Sequence, residues 1–280
     1  MRISPFLTLY IAYTVYICYI SSYEKKVNSD SAEPSVPERT TSLIWERPER
    51  SRTVRPALSR ELIVQTALNL ADTKGIDAIS TRRIAATLSV SAMALYGYIE
   101  RKEDVLDLMI DAVYGEVTIP FPGSRGWRSN LQEIAVQTRA VMHRHPWFAS
   151  LIGHRAVLGP NALKQTDYRL GIVNQLGFDM TTSRSILAMF NAYIVGFVLG
   201  EMGEAEAQRR TGLSEQEWQQ QVGPYVQEQI IASGRYPHLA QALIEGEEPS
   251  SDEMFLFGLT RLLEGIAAYA ASSNSNHKRE

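Results

Sequence analysis

The stretch "LSVSAMALYGYIERKEDVLDLM", Leu88–Met109, decides how the chain is read. An apolar-periodic segment arrives, stops at Ser89-Val90-Ser91, and restarts for barely two turns through Tyr96 and Tyr98. It stops again at a charge cluster around Arg101–Asp104 and then runs into a long amphipathic segment. A helix this short does not hold in water by itself. Its neighbours must fix it, and it must be short because its end is used.

Upstream, the same starting device occurs three times. Ser59, Ser80 and Ser91 each sit where a helix N-cap belongs, with a hydroxyl able to accept an orphan backbone N–H. Each is bracketed by the apolar pair of a hydrophobic staple: Leu58 with Ile63, Ile79 with Ile84, and Val90 with Leu95. Three helices follow from these starts. The first is predicted from Ser59 to Lys74, with Ile63, Ala67, Leu70 and Ala71 inward and Gly75 as a left-handed stop. The second is predicted from Thr81 to Leu88 and the third from Ala92 to about Tyr98. Two short helices joined by a three-residue turn form a helix-turn-helix, which can place the start of its second helix against base edges in a major groove. An ordinary three-helix corner is the plain alternative.

The run from Ser59 to Met109 resembles the DNA-binding domain of the TetR family of bacterial transcriptional repressors. "RRIAATLSVS", "ALYGYI" and Lys102 with the apolar-acidic segment after it carry the resemblance. It implies an all-α chain: an N-terminal three-helix DNA-binding domain, then a larger helical domain for ligand binding and dimerisation. It also implies a homodimer on a palindromic operator in double-stranded DNA, in the cytoplasm, released by a small apolar effector, with no cofactor. In that pattern Tyr96 and Tyr98 follow the recognition helix, where a phenol can donate to phosphate and set register. Lys102 opens the fourth helix, where its ammonium and the backbone N–H groups can share one phosphate. Ser91, Ala92, Met93 and Gly97 are the candidates for base contact, and Ala92 and Met93 suit a thymine methyl. None of the four is Arg, Asn or Gln, so Arg82, Arg83, a basic arm or DNA shape must supply specificity.

The whole chain of 280 residues carries a net charge of -3, which argues against coating nucleic acid by bulk charge but conceals a local basic arm. From Arg47 to Arg60 five arginines (Arg47, Arg50, Arg52, Arg55, Arg60) face one acid, Glu49. Arg52 and Arg55 are the arm's candidate DNA contacts, able to follow a phosphate strand or a minor groove. Two positions depart from the family pattern: Ser89 replaces the usual turn glycine, and Arg101 the usual small cap.

The domain boundaries expected are 1–23 as an apolar segment, 24–54 as a disordered linker with the basic arm, and 55–118 as the DNA-binding domain. Residues 127–272 are expected as the helical body and 273–280 as a disordered tail. The apolar segment fits a start assigned too far upstream, a membrane anchor, or a cleaved signal. A membrane-tethered regulator therefore stays open beside the soluble one, as does a helical adaptor for another protein. "IPFPGSRGW", Ile119–Trp127, marks the boundary between head and body. Body helices are predicted at Trp127 to His143, near Phe148 to Ile152, and at Pro160 to Leu176. Thr181 to Glu201 and Ser251 to Ser272 are apolar on nearly every side, which points to burial all round and so to a dimer face. Between them, Gln208 to Gly246 suggests two short helices and loops. Effector candidates in the body are Trp147, Phe148, His154, Asn191, Tyr193 and Phe197.

Catalysis is not indicated. There is no Gly-rich phosphate loop and no nucleophile elbow, and the His143/His145 pair has no acid at ligand spacing. One cysteine, Cys18, allows neither an internal disulfide nor a thiolate zinc cage, and no metal is expected.

Overall fold

A computed structural model describes residues 43–47, 58–119, 126–152, 157–246 and 249–277. Among them the regular elements are all helical. The head holds α1 (Arg60–Lys74), α2 (Thr81–Thr87), α3 (Ala92–Leu95) and α4 (Lys102–Glu116). The body holds α5 (Trp127–Arg144), α6 (Pro146–Leu151), α7 (Pro160–Asn174), α8 (Met180–Thr211), α9 (Glu215–Val226), α10 (Pro237–Glu245) and α11 (Ser251–His277). The chain divides into two compact units. One holds Leu43–Val195 with Leu262–His277, and the other Gly196–Arg261.

The three serine starts are present as read. Ser59 Oγ accepts from the Leu62 amide at 3.2 Å, Ser80 Oγ from Arg83 at 3.3 Å, and Ser91 Oγ from Ala94 at 3.3 Å. Ile63, Ile84 and Leu95, one from each staple, are fully buried. Each such side chain contributes about 1.5–3 kcal/mol relative to exposure, and this clamps a third helix of a single turn. Helix α3 is shorter than predicted: Tyr96–Tyr98 form turns, tied by the Tyr98 and Ile99 amides to the Leu95 carbonyl.

Ser89 occupies the left-handed region at φ 54°, so the turn takes the conformation for which glycine is usual. An L side chain there costs about 1–2 kcal/mol. Ser89→Gly is expected to raise unfolding free energy by about 1 kcal/mol, net of the greater entropy of the unfolded glycine chain. Urea denaturation followed by circular dichroism measures it.

Two expectations change. Leu43–Arg47 falls within the stretch read as a disordered linker, yet Ile44–Glu46 form a 3-10 turn with Ile44 buried. The turn is held because Arg47 anchors its end, as described below. Helix α8 runs ten residues beyond Glu201, and α11 continues to His277, five beyond Ser272; in α8 the helix formers Glu204 to Arg210 carry the chain past Gly203 as far as the left-handed Gly212. Within one chain α8 and α11 are not buried on all sides, which is what an expectation of burial completed by a second subunit requires. In α8 Ser183, Ile186, Leu187, Phe190, Ile194 and Val198 form one buried stripe while Met180 and Met189 are exposed. In α11 the buried stripe is Phe255, Leu259, Leu263, Ile266 and Ala270, while Phe257 and Tyr269 are exposed. By length and composition alone Met180–Thr211 and Ser251–Ser273 would also suffice to cross a membrane.

Candidate nucleic-acid interface

The recognition end is built by α2, α3 and the start of α4. Leu95 faces inward, fully buried, and this turns Met93 outward to 77% exposure and Tyr96 to 49%. Ser91 is exposed as well, while Ala92, Gly97 and Tyr98 are half-buried. Lys102, Arg82 and Arg83 are exposed, but Arg83 Nη1 donates to the Ala78 carbonyl at 3.1 Å, so part of its guanidinium is committed to the head. In and around α3 the head thus exposes a thioether and a phenol, Met93 and Tyr96, with cations on the flanking helices at Arg82, Arg83 and Lys102.

The start of α4 departs from the sequence reading. Asp104 lies buried at its third position, and Asp104 Oδ2 accepts from the Glu100 amide at 2.8 Å and the Arg101 amide at 3.2 Å. Those two amides are therefore not available to share a phosphate with Lys102. Asp104 supplies the cap that Arg101 cannot. Arg47, distant in sequence, closes the other side: Nη2 donates to Asp104 Oδ1 at 2.9 Å and Nη1 pairs with Glu100 at 3.1 Å. Arg60 Nε donates to the Tyr98 carbonyl at 3.3 Å. Two of the five arginines of the basic arm are thus fastened to the head. Arg52 and Arg55 lie outside the described residues.

Body and head are joined by more than the chain. Asp72 Oδ1 at the end of α1 receives His145 Nδ1 at 2.8 Å and Trp147 Nε1 at 2.7 Å. His145 Nε2 faces Glu116 Oε1 at 2.9 Å, and Arg144 pairs with Glu116 Oε2 at 2.6 Å. Each imidazole nitrogen faces a carboxylate, so both contacts are hydrogen bonds only when the ring carries both protons. A second fastener joins α4 to α7. Asp111 Oδ1 accepts from the Ala162 amide at 2.8 Å, and Asp111 Oδ2 from Asn161 Nδ2 at 3.1 Å. Gly159 makes room for it, since a Cβ there would overlap the Asp111 carboxylate.

Burial works to raise the pKa of Asp104, but hydrogen bonds from Arg47 and from the Glu100 and Arg101 amides, with the Arg47 charge, outweigh it and hold the carboxyl below its usual range. Glu116 is likewise lowered: burial opposes, and the hydrogen bonds and charges of Arg144 and His145 prevail. A carboxylate whose pKa is lower folded than unfolded contributes stability above the unfolded value, near about 4, and loses it as pH falls through the folded value. Stability is expected to decline on acidification below about pH 4, and Arg47→Met should flatten that decline by removing part of the Asp104 contribution. Urea midpoints measured across pH for both proteins check this.

The effector candidates separate. Trp147 is buried against Asp72 at the head, away from a ligand role in the body interior. Phe148 is buried and meets the Tyr114 ring edge-on at 5.4 Å. Asn191 Oδ1 accepts from Arg169 Nη1 at 3.3 Å. Tyr193 is half-buried. Phe197 lies in the other compact unit, edge-on to Phe255 at 5.1 Å. His154 lies outside the described residues. Sequence reasoning missed Asp72, Glu116 and Arg169, which act through partners distant in sequence, and saw in Asp104 only an acid suited to the start of α4. Only Asp104 left a signal, as an acid in the first turn of a helix.

Comparison with known proteins agrees with this geometry. The family model for bacterial regulatory proteins of the tetR family matches residues 63–109, and that for the tetracyclin repressor-like C-terminal domain matches residues 119–270. The HTH-type transcriptional repressor DrrR1 of Streptomyces coeruleorubidus is 36% identical over 236 residues, covering 83% of this chain and 86% of that protein. A possible TetR family transcriptional regulator from Streptomyces coelicolor A3(2) aligns with TM-score 0.59 and 29% identity, covering 75% of this chain and all of that one. The S. coelicolor protein ActR, solved in complex with actinorhodin, aligns with TM-score 0.64 at 24% identity over 76% of this chain and 99% of its own. With a serine-capped helix-turn-helix that presents Met93 and Tyr96, and with both family domains matched in order, the chain belongs to the TetR family of transcriptional regulators.

Proposed function

We propose that the protein is a cytoplasmic, ligand-released repressor that binds a palindromic operator as a homodimer. The observation that carries the DNA reading is the single-turn helix α3: Leu95 is wholly buried while Met93 stands out from the same four-residue rod and Tyr96 from the turn that ends it. No core requires that exposure, and a major groove does. Met93 and Ala92 contact thymine methyls, Ser91 and Gly97 approach base edges, and Tyr96, Tyr98 and Lys102 grip phosphates. Arg82 and Arg83 extend the grip along the strand, and Arg52 and Arg55 add the arm.

Repression follows the DrrR1 relative, which is named a repressor. Release requires that the effector bind best to the conformation whose heads are wrongly spaced. The Asp72–His145–Glu116 junction and the Asp111 fastener give the body two holds on the head, at the far ends of α1 and α4. A shift of α6 or α7 therefore moves the head directly, and α4 is not the sole lever.

Selection of bound duplexes from random sequence, followed by gel shift at stated salt, tests the reading. An inverted repeat is expected, with half-site centres one helical turn, about 34–36 Å, or a multiple apart. Failure to enrich any duplex would overturn it.

A further inference from the structure

Arg169 is a charge without a counter-charge. It lies on α7, only 6% exposed, and no carboxylate among the described residues is within ion-pair distance of it. Its Nη1 donates to Asn191 Oδ1 on α8 and its Nη2 to Thr138 Oγ1 on α5, both at 3.3 Å, and its Nε has no partner. Two long bonds to neutral groups are a poor return for a guanidinium with five donors. Such a side chain stays charged, and an unpaired buried charge is costly. Burial pushes its pKa below the ordinary value, opposed only by the Tyr114 phenol. A tie between α5, α7 and α8 needs no charge, since a neutral glutamine amide can donate to acceptors of the same kind.

A second orphan lies one turn back on the same face of α7. Gln165 is 3% exposed. Its Nε2 donates to the Val117 and Tyr114 carbonyls, while its Oε1 is buried without a partner. An acceptor lacking a donor thus stands near a donor lacking an acceptor, four residues apart on one helix. Tyr114, close enough to feel the Arg169 charge, stands edge-on to Phe148 and gives the place an aromatic wall.

We propose that Arg169 is the anion anchor of the effector site. The effector is an apolar, aromatic organic acid whose ionised oxygen pairs with the guanidinium and whose hydroxyl or N–H donates to Gln165 Oε1. This rests on reading the body as an effector-binding domain and adds the chemical class of the ligand. Charge-assisted, forked pairing is the recognition that arginine offers and lysine does not.

Matched probes test it: anthraquinone-2-carboxylate against its carboxamide, and 2-naphthoate against 2-naphthamide. Binding is measured by calorimetry on the full chain without DNA, and thermal melting is measured without ligand. The wild type is expected to bind at least one acid about tenfold or more tightly than its amide. Arg169→Met should abolish that preference, and Arg169→Lys should keep part of it. Without ligand, Arg169→Met should melt at or above the wild-type temperature, since it removes an unpaired charge. The proposal is overturned if neither acid is preferred, if the preference survives in Arg169→Met, or if ligand-free Arg169→Met melts well below wild type. No DNA enters these measurements. A failure of operator recognition would register in the duplex selection and leave them unaffected.

Discussion

Tyr96→Phe combined with Lys102→Ala should weaken operator binding about a thousandfold. Both side chains are exposed, and no hydrogen bond or ion pair engages either within the head, so their removal leaves the fold alone. Tyr96→Phe deletes one hydroxyl and Lys102→Ala one ammonium, and a dimer loses each twice. At about 1 kcal/mol for each of four lost phosphate contacts the sum is about 4 kcal/mol, which converts to that factor. The salt dependence provides an independent reading. Two lysines fewer release about two fewer counterions, so the slope of log affinity against log salt should become shallower by about 2. Met93→Ala is the contrast: it removes an apolar tip, leaves the charge unchanged, and should alter which bases are tolerated without altering the slope. Fluorescence anisotropy on the selected operator at several salt concentrations measures all three. An unchanged affinity in the double variant, with an unchanged slope, would remove Tyr96 and Lys102 from the interface.

The head was legible in sequence because its rules are local. A serine hydroxyl and an amide three residues on lie within one turn, so Ser59, Ser80 and Ser91 could be read without knowing what packs against them. Ser89 stood out for another reason, as the serine where the resembled family's turn has glycine, and its φ of 54° is the conformation for which glycine is usual. Asp104 is the limiting case. As an acid near the positive end of α4 it was visible, but its role as substitute cap for Arg101 and anchor for Arg47 depends on a residue 57 positions away. Nothing in the composition of a polar, proline-bearing stretch marks Arg47 apart from its neighbours.

The body was legible as helices and illegible as a site. Trp147 has the aromatic character expected of a ligand wall, yet its indole N–H is spent on Asp72, 75 positions away. Periodicity reports which face of a helix is apolar and not which neighbour that face meets. Arg169 shows the converse. In sequence it is one cation in a polar helix, "PNALKQTDYRLGIVN", and only the packing of α5 and α8 around it turns it into a buried charge. The elements that carry function in the body are thus defined by contacts between segments, and contacts of that kind leave no spacing to read.

Phe257→Asp should separate the dimer and reduce operator affinity by about 10²–10⁴-fold. Phe257 lies on α11, 67% exposed, with Leu256 beside it also exposed, while the opposite stripe of Phe255 and Leu259 is wholly buried. The Arg261 guanidinium lies 5.4 Å from its ring, which covers one side of it and leaves an aromatic surface in water. Apolar residues gathered on the outer side of a core helix mark an interface more often than chance placement. A carboxylate placed there meets its symmetry mate across a twofold contact, and two desolvated like charges cost several kcal/mol. The fold does not pay that cost, because the side chain replaced is exposed within its own chain, so melting of the isolated subunit should be unaffected by the change. The DNA consequence follows from linkage of half-sites. Once one head is bound, the other is held at an effective concentration in the millimolar range for its own half-site, and separation discards that gain. Sedimentation velocity on Phe257→Asp and wild type, with gel shifts on full and half operators, measures both halves of the argument. The variant should sediment as a monomer and bind the full operator no better than a half. If it remains a dimer with undiminished affinity, the outer face of α11 at Phe257 is not where two subunits meet.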